Sequence, residues 1–401
     1  MDAAYLLEVF TLLLRWAHVI VAIAWIGASF YFVWLDNSLR PPADPALKEK
    51  GVSGELWAVH GGGFYNPQKY MVAPSHLPAD LHWFKWESYT TWITGFLLIS
   101  SLYYLQAGSY MVDASKMALQ PRQAVGVGIT ALVLGWLVYD GLCRLLIKRS
   151  QVQLGVIYYF FVLAMAYALT QMISGRAAFL HIGAMIATTM SANVFFWIIP
   201  GQKRVVAAMQ RGAAPDPMDG LRAKQRSVHN NYLTLPVVFC MISNHFGFTY
   251  QHPHAWAILG LILLGAVLIR HWFNLRHKGH APLVWPVLGC LLLIAAFIWT
   301  APSRPDTPAP GSAAAATPTV TVADIRPIID ARCAACHGAH PTLMPTPAGG
   351  LVFDSDEHLR QLAPRIHQQA VVQKAMPLGN ITKITDAERA KLAAWFDGGA
   401  Q

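Results

Sequence analysis

The sequence Cys333-Ala334-Ala335-Cys336-His337 places two thiols three positions apart, with an imidazole directly after the second. At this spacing, one helical turn can attach two haem vinyl groups through thioether bonds and present the imidazole to the iron. A redox disulfide or half of a zinc site would need a thioredoxin-like βαβ pattern or a second Cys/His pair, and the sequence shows neither. The motif therefore predicts a covalent c-type haem.

The chain around this motif has the composition of a small soluble domain. Residues 303–401 carry nine basic and nine acidic side chains, and therefore no net charge. Apolar periodicity and capping residues predict three helices, over Val322–Ala335, Asp356–Gln373 and Asp386–Asp397. The last helix has Thr385 as N-cap and Glu388 at the third helical position, which is a capping box. Residues 320–401 are therefore predicted to form a monohaem class I cytochrome c domain.

The iron of such a domain needs a second axial ligand besides His337. Met376, on the loop between the last two predicted helices, is the predicted ligand. Met344 is the alternative, but it lies only seven residues beyond the histidine, and this leaves a tight loop to reach the other haem face. A Met/His pair raises the haem potential, which suits an electron acceptor.

The rest of the chain has the composition of a membrane protein. Of 401 residues, 55% are hydrophobic and only 13% are charged, whereas a soluble chain carries about a quarter charged residues. The net charge of +9 does not indicate nucleic acid, because a basic excess in a membrane protein usually lies in cytoplasmic loops. The expected partner is the lipid bilayer, with no nucleic acid.

Eight apolar runs are long enough, or nearly so, to cross ~30 Å of hydrocarbon. They lie near Tyr5–Leu35, Tyr89–Gln106, Gln123–Leu146, Val152–Ile173, Ala177–Pro200, Tyr232–Phe248, Ala255–Asn274 and Leu283–Ala301. The predicted fold class is all-α, with an eight-helix transmembrane bundle over 1–301. A Pro/Ala/Thr-rich linker over 302–319 tethers the cytochrome c domain to it.

Haem attachment fixes the expected orientation, because it occurs on the outer side of the bacterial inner membrane. With an even number of spans, the N-terminus and the cytochrome domain are both periplasmic. The predicted inner loops 36–88, 144–151, 201–231 and 275–282 hold sixteen Lys and Arg, whereas the outer connections 107–122, 174–176 and 249–254 hold three. This asymmetry agrees with the orientation.

Ionisable residues in the spans are costly and therefore informative. In the first span, Arg15 and His18 share one helical face with Trp25 and other residues, which predicts an inward face, although Arg15 can instead snorkel to the interface. His181 and His245 lie near the outer ends of the fifth and sixth spans. Two of His18, His181 and His245 can ligate a b-type haem, or each can be a hydrogen-bonded structural residue.

Polar residues also concentrate on the predicted inner side. His229-Asn230-Asn231-Tyr232 begins the sixth span, and the loop 36–88 contains His60-Gly61-Gly62-Gly63-Phe64-Tyr65, Lys69 and His82-Trp83-Phe84-Lys85-Trp86-Glu87. The glycines fit either a binding loop or a simple turn, and the aromatic residues fit either ring stacking or the membrane interface. Pairing with Arg144, with Lys85 or with a neighbouring helix is expected for Asp140, Glu87 and Asn193.

The combination of these features resembles a known family. Arg15-Trp16-Ala17-His18-Val19, Ala24-Trp25-Ile26-Gly27, the two loop sequences, His229-Asn230-Asn231-Tyr232 and the C-terminal motif together resemble the membrane-bound, cytochrome-c-linked urate oxidases (urate hydroxylases of the PuuD type). The resemblance covers essentially the whole chain. It implies oxidation of urate to 5-hydroxyisourate with water as the oxygen source, with electrons leaving through the haem rather than directly to O₂. It assigns no individual catalytic residue.

Urate is a planar monoanion, so its oxidation needs a cation, a base and an outlet for single electrons. Arg15 or Lys69 fits the first role, and His18, His229 or Glu87 the second. With Asn230 beside His229, the candidate catalytic residues are Arg15, His18, Glu87, His229 and Asn230. The c-type haem is the outlet, and a soluble or membrane cytochrome c or a terminal oxidase is the expected acceptor.

Two other classes of function are compatible with the composition. A b/c-type electron-transfer subunit would oxidise a lipid quinol and pass electrons outward. A transporter with a tethered redox domain is less compatible, because the spans show neither a broken-helix pair nor an inverted repeat.

Overall fold

The computed structural model describes residues 3–71, 74, 76–113, 115–146, 150–301, 320–344 and 346–401. In this part of the chain the protein is mainly helical, as predicted. The predicted linker, 302–319, lies outside the described residues.

The helices of residues 3–301 follow the apolar runs of the sequence. They are α1 (Ala3–Ser38), α2 (Pro45–Glu49), α3 (Trp86–Ile99), α4 (Ala107–Tyr110), α5 (Pro121–Leu146), α6 (Gln151–Met172), α7 (Gly175–Ala192), α8 (Ile199–Gln210), α9 (Pro217–Ile242), α10 (Gly247–Tyr250), α11 (Ala255–His277) and α12 (Val284–Trp299). π-helical turns extend α3 over Ser100–Tyr104 and join α7 to α8 over Asn193–Ile198, and a 3₁₀ turn, Ser243–His245, follows α9.

Several of these helices fit a membrane protein. Among the described residues, five helical segments are long and apolar enough to cross a bilayer: Tyr5–Ser38, Pro121–Leu146, Gln151–Met172, Gly175–Gln210 and Ala255–His277. The other three predicted spans fall on α3, which a π-helical turn extends, on α9, whose first half is polar, and on α12, which has 16 residues.

The bundle has two ends, which its contacts define. At one end, called the near end, α4 meets the start of α5, the loop after α4 meets the start of α7, and α10 meets the same turn of α7. At the other end, the far end, the His229 imidazole meets Gln151 at 3.1 Å, and the Asn37 amide lies 3.5 Å from the Asn274 carbonyl oxygen. Successive long helices therefore run in alternate directions.

The main core lies between α5, α6, α7 and α9. Small residues let these helices approach closely: a Cβ on Gly135 would collide with Met185, and a Cβ on Gly183 would lie 2.5 Å from Cys240 Cβ. Cys143 and Cys240 are buried there as free thiols, as predicted, whereas Cys290 is exposed.

The backbones of α11 and α12 touch at a pair of glycines. A Cβ on Gly265 would lie 2.9 Å from the Gly289 carbonyl oxygen, and a Cβ on Gly289 would lie 2.8 Å from the Gly265 carbonyl oxygen. Because only glycine permits this approach, the pair fixes the crossing of the two helices. The buried residues of α12 are Gly289 and Ala296, and ring contacts of Trp285 with His271 and of Phe297 with Phe248 also hold this helix.

The loop 36–88 is not only an aromatic connection. It contains the strands β1 (Val52–Glu55), β2 (Ala58–His60), β3 (Gly63–Tyr65) and β4 (Gln68–Tyr70). β1 pairs with β4 and β2 pairs with β3, both antiparallel. Gly61 and Gly62 form the tip of the inner hairpin with φ of 58° and 82°, which only glycine adopts easily. The prediction of a purely helical protein does not hold here, and the glycines form a turn.

The C-terminal segment contains α13 (Val322–Arg332), α14 (Ala334–His337), α15 (Asp356–Ile366) and α16 (Asp386–Asp397), with π-helical turns over His367–Val372. Its core includes Ile325, Ile329, Leu359 and Trp395, all fully buried or nearly so. The predicted capping box is confirmed, since Thr385 and Glu388 exchange side-chain and backbone hydrogen bonds.

Candidate functional site

The Cys333-to-His337 motif forms α14, directly after α13. Both thiols are free, and burial, together with the neighbouring Cys336, raises the pKa of the Cys333 thiol to about 12. His337 Nδ1 lies 3.2 Å from the Leu351 carbonyl oxygen. Because a carbonyl only accepts, Nδ1 carries the proton and Nε2 keeps its lone pair. The imidazole stacks on Phe353 with ring centroids 4.6 Å apart. This donor set fits a covalent haem with a histidine ligand.

The two predicted methionine ligands both lie in loops of the same segment. The Met376 N–H donates to the Gln369 carbonyl at 3.0 Å, and the Met376 carbonyl accepts from Arg389 Nη1 at 2.8 Å. Met344 is partly buried, as Met376 is. The backbone of Met376 is thus held firmly, while its choice over Met344 stays a prediction. Across the described residues, no group of three or more His, Cys, Asp or Glu side chains could hold a metal ion.

The C-terminal segment contacts the near end of the bundle. A Cβ on Gly379 would collide with the Val112 carbonyl oxygen, and a Cβ on Gly247 would lie 3.2 Å from the Ala375 Cβ. The loop that carries Met376 therefore packs directly on helical connections of the bundle.

A cleft of about 420 Å³ opens beside this contact. Its lining consists of residues 104–109, Pro121, Arg122, Val125 and Leu343. Tyr110, next to the cleft, lies within electrostatic reach of the Cys336 thiol and of Arg15. The Cys333-to-His337 motif therefore lies toward the near end of the bundle.

His181 is fully buried close to this end. Its Nδ1 donates to the Ala177 carbonyl at 2.8 Å, so Nε2 keeps a lone pair, and this atom has no hydrogen-bond partner in the described part of the chain. The rings of Tyr103 and Tyr104 lie 6.5 Å and 5.7 Å away. Gly128 provides the space for the imidazole, since a Cβ there would collide with Nε2. Such an atom is an unused ligand or acceptor.

The other residues predicted for this layer lie apart. Arg15 is exposed, so the prediction of an inward face is wrong for this residue. His18 Nδ1 lies 2.9 Å from Thr94 Oγ1, and His245 is exposed in the turn after α9. No described contact joins His18, His181 and His245 to one another, so b-haem ligation by two of them stays a prediction.

A buried ion pair organises the far end. Asp140 accepts from Arg226 Nη2 at 2.8 Å, from Arg144 Nε at 2.7 Å and from Trp197 Nε1 at 2.7 Å. Arg226 is only 2% exposed and lies 4.5 Å from the centre of the Trp197 ring. The predicted Asp140–Arg144 pair is confirmed, but the buried partner, Arg226, was not predicted.

His229 and Asn230, both candidate catalytic residues, belong to the same layer. His229 lies between the Tyr139 hydroxyl, at 2.7 Å, and Gln151 Oε1, at 3.1 Å. Asn230 accepts from Asn193 Nδ2 at 2.9 Å, and Asn193 also accepts from Arg226. The predicted pairing of Asn193 with a neighbouring helix is confirmed. These side chains form a continuous network, in which Arg226 Nε has no hydrogen-bond partner among the described residues.

Glu87 and Lys69 have different surroundings from those expected. Glu87 makes no ion pair with Lys85 among the described contacts, and Lys85 instead lies 5.7 Å from the centre of the Trp86 ring. The predicted Glu87–Lys85 pair is therefore wrong. Lys69 forms an ion pair with Asp36, to which Lys224 also binds at 3.1 Å.

A second buried guanidinium, which sequence reasoning missed, lies on α11. Arg270 is 5% exposed, donates from Nε to Asn231 Oδ1 at 2.8 Å, and lies 3.8 Å from the centre of the Phe30 ring. Asn274 donates to the same Asn231 oxygen at 3.0 Å. A single Arg inside the apolar run 255–274 was the signal that could have identified this site.

Comparison with known proteins gives one family. No curated protein and no solved structure matches the chain. The urate oxidase N-terminal family matches residues 4–301, which include every described helix of the bundle and both buried arginines. Because this match spans well over half of the sequence, the chain belongs to the urate oxidase N-terminal family.

Proposed function

We propose that the protein oxidises urate and passes the electrons to a c-type haem on its C-terminal segment. The balanced half-reaction is urate plus water giving 5-hydroxyisourate, two protons and two electrons. Oxygen comes from water, and no O₂ is consumed at the site. A c-type haem would accept the two electrons singly and pass them to a soluble or membrane cytochrome c or to a terminal oxidase.

The observation that supports this proposal is that one chain contains both a helical bundle of the urate oxidase N-terminal family and a segment with a Cys-x-x-Cys-His motif. A family-matched helical bundle covers residues 4–301, and a segment with the donor set for covalent haem packs on its near end. Cys333 and Cys336 would hold the haem covalently, and His337, oriented by Leu351, would bind the iron. Met376 would be the opposite ligand. The Arg389 hydrogen bond to the Met376 carbonyl would hold this loop in place.

The proposal includes a membrane arrangement. Eight spans would cross the bacterial inner membrane, with the near end, the N-terminus and the C-terminal segment in the periplasm. The alternating directions of the helices and the concentration of Lys and Arg in the far-end loops support this orientation. The electron acceptor would then dock from the periplasmic side.

The candidate catalytic residues do not form one site. Arg15 lies toward the near end, whereas His229 and Asn230 lie in the far-end network, with His18 between them along α1. No single urate molecule can therefore contact all of these groups at once. The assignment of a base among them stays a prediction.

Anaerobic addition of urate to the oxidised, purified protein tests the function. We expect the haem α band to rise with a stoichiometry of one urate for two reduced haems, and hydroxyisourate to form. The Cys333→Ala/Cys336→Ala variant should form no product without an added acceptor. Reduction by a quinol but not by urate would refute the proposal and favour a quinol-oxidising subunit.

A further inference from the structure

In the described part of the bundle, two guanidinium groups are buried, and one of the two has a carboxylate partner. Arg226 pairs with Asp140 at 2.8 Å. Arg270 pairs with no carboxylate in the described part of the chain, and its Nη2 has no hydrogen-bond partner there.

An unpaired buried cation is expensive, because the loss of water costs several kcal/mol per ion in real proteins. The Phe30 ring, 3.8 Å from the guanidinium, recovers only part of this through its negative face. Asn231 accepts from Nε but carries no charge. An anion bound at Nη2 would supply the missing partner.

A buried acceptor without a hydrogen-bond partner, Asn274 Oδ1, lies beside the unpartnered donor Arg270 Nη2. Asn231 donates to the Ser29 carbonyl at 3.2 Å, which orients its Oδ1 toward Arg270 and Asn274. Since that oxygen can only accept, Asn274 must present its NH₂ to it, and the Asn274 Oδ1 is left buried without a partner. A ligand that satisfies both orphaned atoms must accept at one point and donate at a neighbouring one.

We propose that Arg270, Asn231 and Asn274 form the binding site for a planar anion with adjacent carbonyl and N–H groups, which on the function proposed above is the urate monoanion. Its deprotonated edge or a carbonyl oxygen accepts from Arg270 Nη2, and a ring N–H donates to Asn274 Oδ1. Asn231 is a positioning residue, since it orients the other two side chains.

Polar and charged residues of the far end lie next to this site. The Asn37 amide lies 3.5 Å from the Asn274 carbonyl oxygen, and the adjacent residue, Asp36, binds both Lys69 and Lys224. Two ammonium groups around one carboxylate leave a net positive charge at the far-end surface. Such a charge attracts an anion and raises its rate of association.

The site lies far from the C-terminal segment. Arg270 follows Ala255, at the near end of α11, by fifteen residues. At about 1.5 Å per residue the axial separation is roughly 22 Å. Electrons from this position would need a carrier within the bundle before they reach the near end.

Direct binding to the full-length protein tests the site without turnover. Protein reduced with dithionite cannot accept electrons, so equilibrium dialysis against radiolabelled urate measures affinity alone. Arg270→Gln should weaken urate binding by roughly 10- to 100-fold, since a hydrogen bond to a charged group is worth about 1.5–3 kcal/mol. Arg276→Gln, at an exposed position of the same helix, should bind as the wild type does.

Asn274→Asp is the second variant. It keeps Arg270, so its result does not depend on whether the protein folds without this arginine. It replaces the Asn274 amide, whose NH₂ donates to Asn231, by a carboxylate that can pair with Arg270 and compete with an anion, so we expect a loss of urate binding similar to that of Arg270→Gln. Uracil offers adjacent carbonyl and N–H groups without a charge, and it should bind the wild type far more weakly than urate does.

The outcomes separate the site from the function. Any of three results would refute the proposed site. These are urate binding within twofold of wild type in either variant, binding of uracil to the wild type as tight as that of urate, and no binding of urate to the wild type. Wild-type protein that binds urate but is never reduced by it would support the site and refute the proposed oxidation.

Discussion

Replacing Asp140 by Asn should leave the Arg226 guanidinium buried without a counter-charge. The carboxylate accepts three hydrogen bonds, from Arg226, Arg144 and Trp197, and the amide of Asn has one oxygen and no charge. Arg226 is 2% exposed, so water cannot replace the lost partner. The bundle should therefore lose stability.

The magnitude follows from the surroundings of Arg226. Breaking a buried ion pair by removing one partner costs about 3–5 kcal/mol. Arg226 would keep its hydrogen bond to Asn193 at 2.9 Å and its contact with the Trp197 ring, which favours the lower end, about 3 kcal/mol. For a protein of 401 residues, such a loss lowers the melting temperature by roughly 4–5 °C.

Thermal unfolding of the purified protein in detergent measures this loss. Arg144→Gln is the matched control, because the Arg144 side chain is 64% exposed and an exposed pair contributes about 0.5 kcal/mol. The double variant Asp140→Asn/Arg226→Gln removes both charges and should recover most of the stability. A melting temperature within about 1 °C of wild type for Asp140→Asn, or additive losses in the double variant, would refute the reasoning.

Further predictions concern the haem, the packing and the topology. The Cys333→Ala/Cys336→Ala variant should lose its haem-stained band on denaturing gels, and undiminished covalent haem would contradict the thioether assignment. Gly128→Ala should destabilise the bundle by about 1–3 kcal/mol through its collision with the buried imidazole, whereas Gly126→Ala, with open space around it, should not; equal effects would contradict this packing. Pyridine haemochrome analysis should show b-type haem beside c-type, and c-type alone in fully active protein would argue against a far-end urate site. A Cys at Gln210 should be labelled only from the cytoplasm, and periplasmic labelling would reverse the orientation.

Helix positions were largely predictable, because helices long enough to cross a membrane consist of long runs of apolar residues, which are visible in the sequence. The run Val152–Ile173 became Gln151–Met172, and Asp386–Asp397 was predicted at its observed bounds. The hairpins of residues 52–70 were not predictable in the same way. Strands of three or four residues contain too few alternations to be distinguished from an irregular loop.

Side-chain partners were predictable only where they are local. The Asp140–Arg144 pair spans one helical turn, and periodicity alone identifies it. Arg226 and Arg270 find their partners 86 and 39 residues away, so only the packing of helices reveals them. Periodicity placed Arg15 and His18 on one face of α1, but it could not predict that neighbouring helices cover this face at His18 and leave it exposed at Arg15.

The close contact of Gly265 and Gly289, where α11 and α12 cross, has a consequence for any substitution at either position. Among the described residues, α12 is the last helix before the C-terminal segment, and the Gly265–Gly289 contact fixes where it crosses α11. A methyl group at either position would meet the facing carbonyl oxygen within 3 Å and would force the two helices apart. The hydrogen atoms of two glycines thus set the distance between α11 and α12, and a variant there would separate these helices without removing the contacts of Gly379 with Val112 and of Ala375 with Gly247.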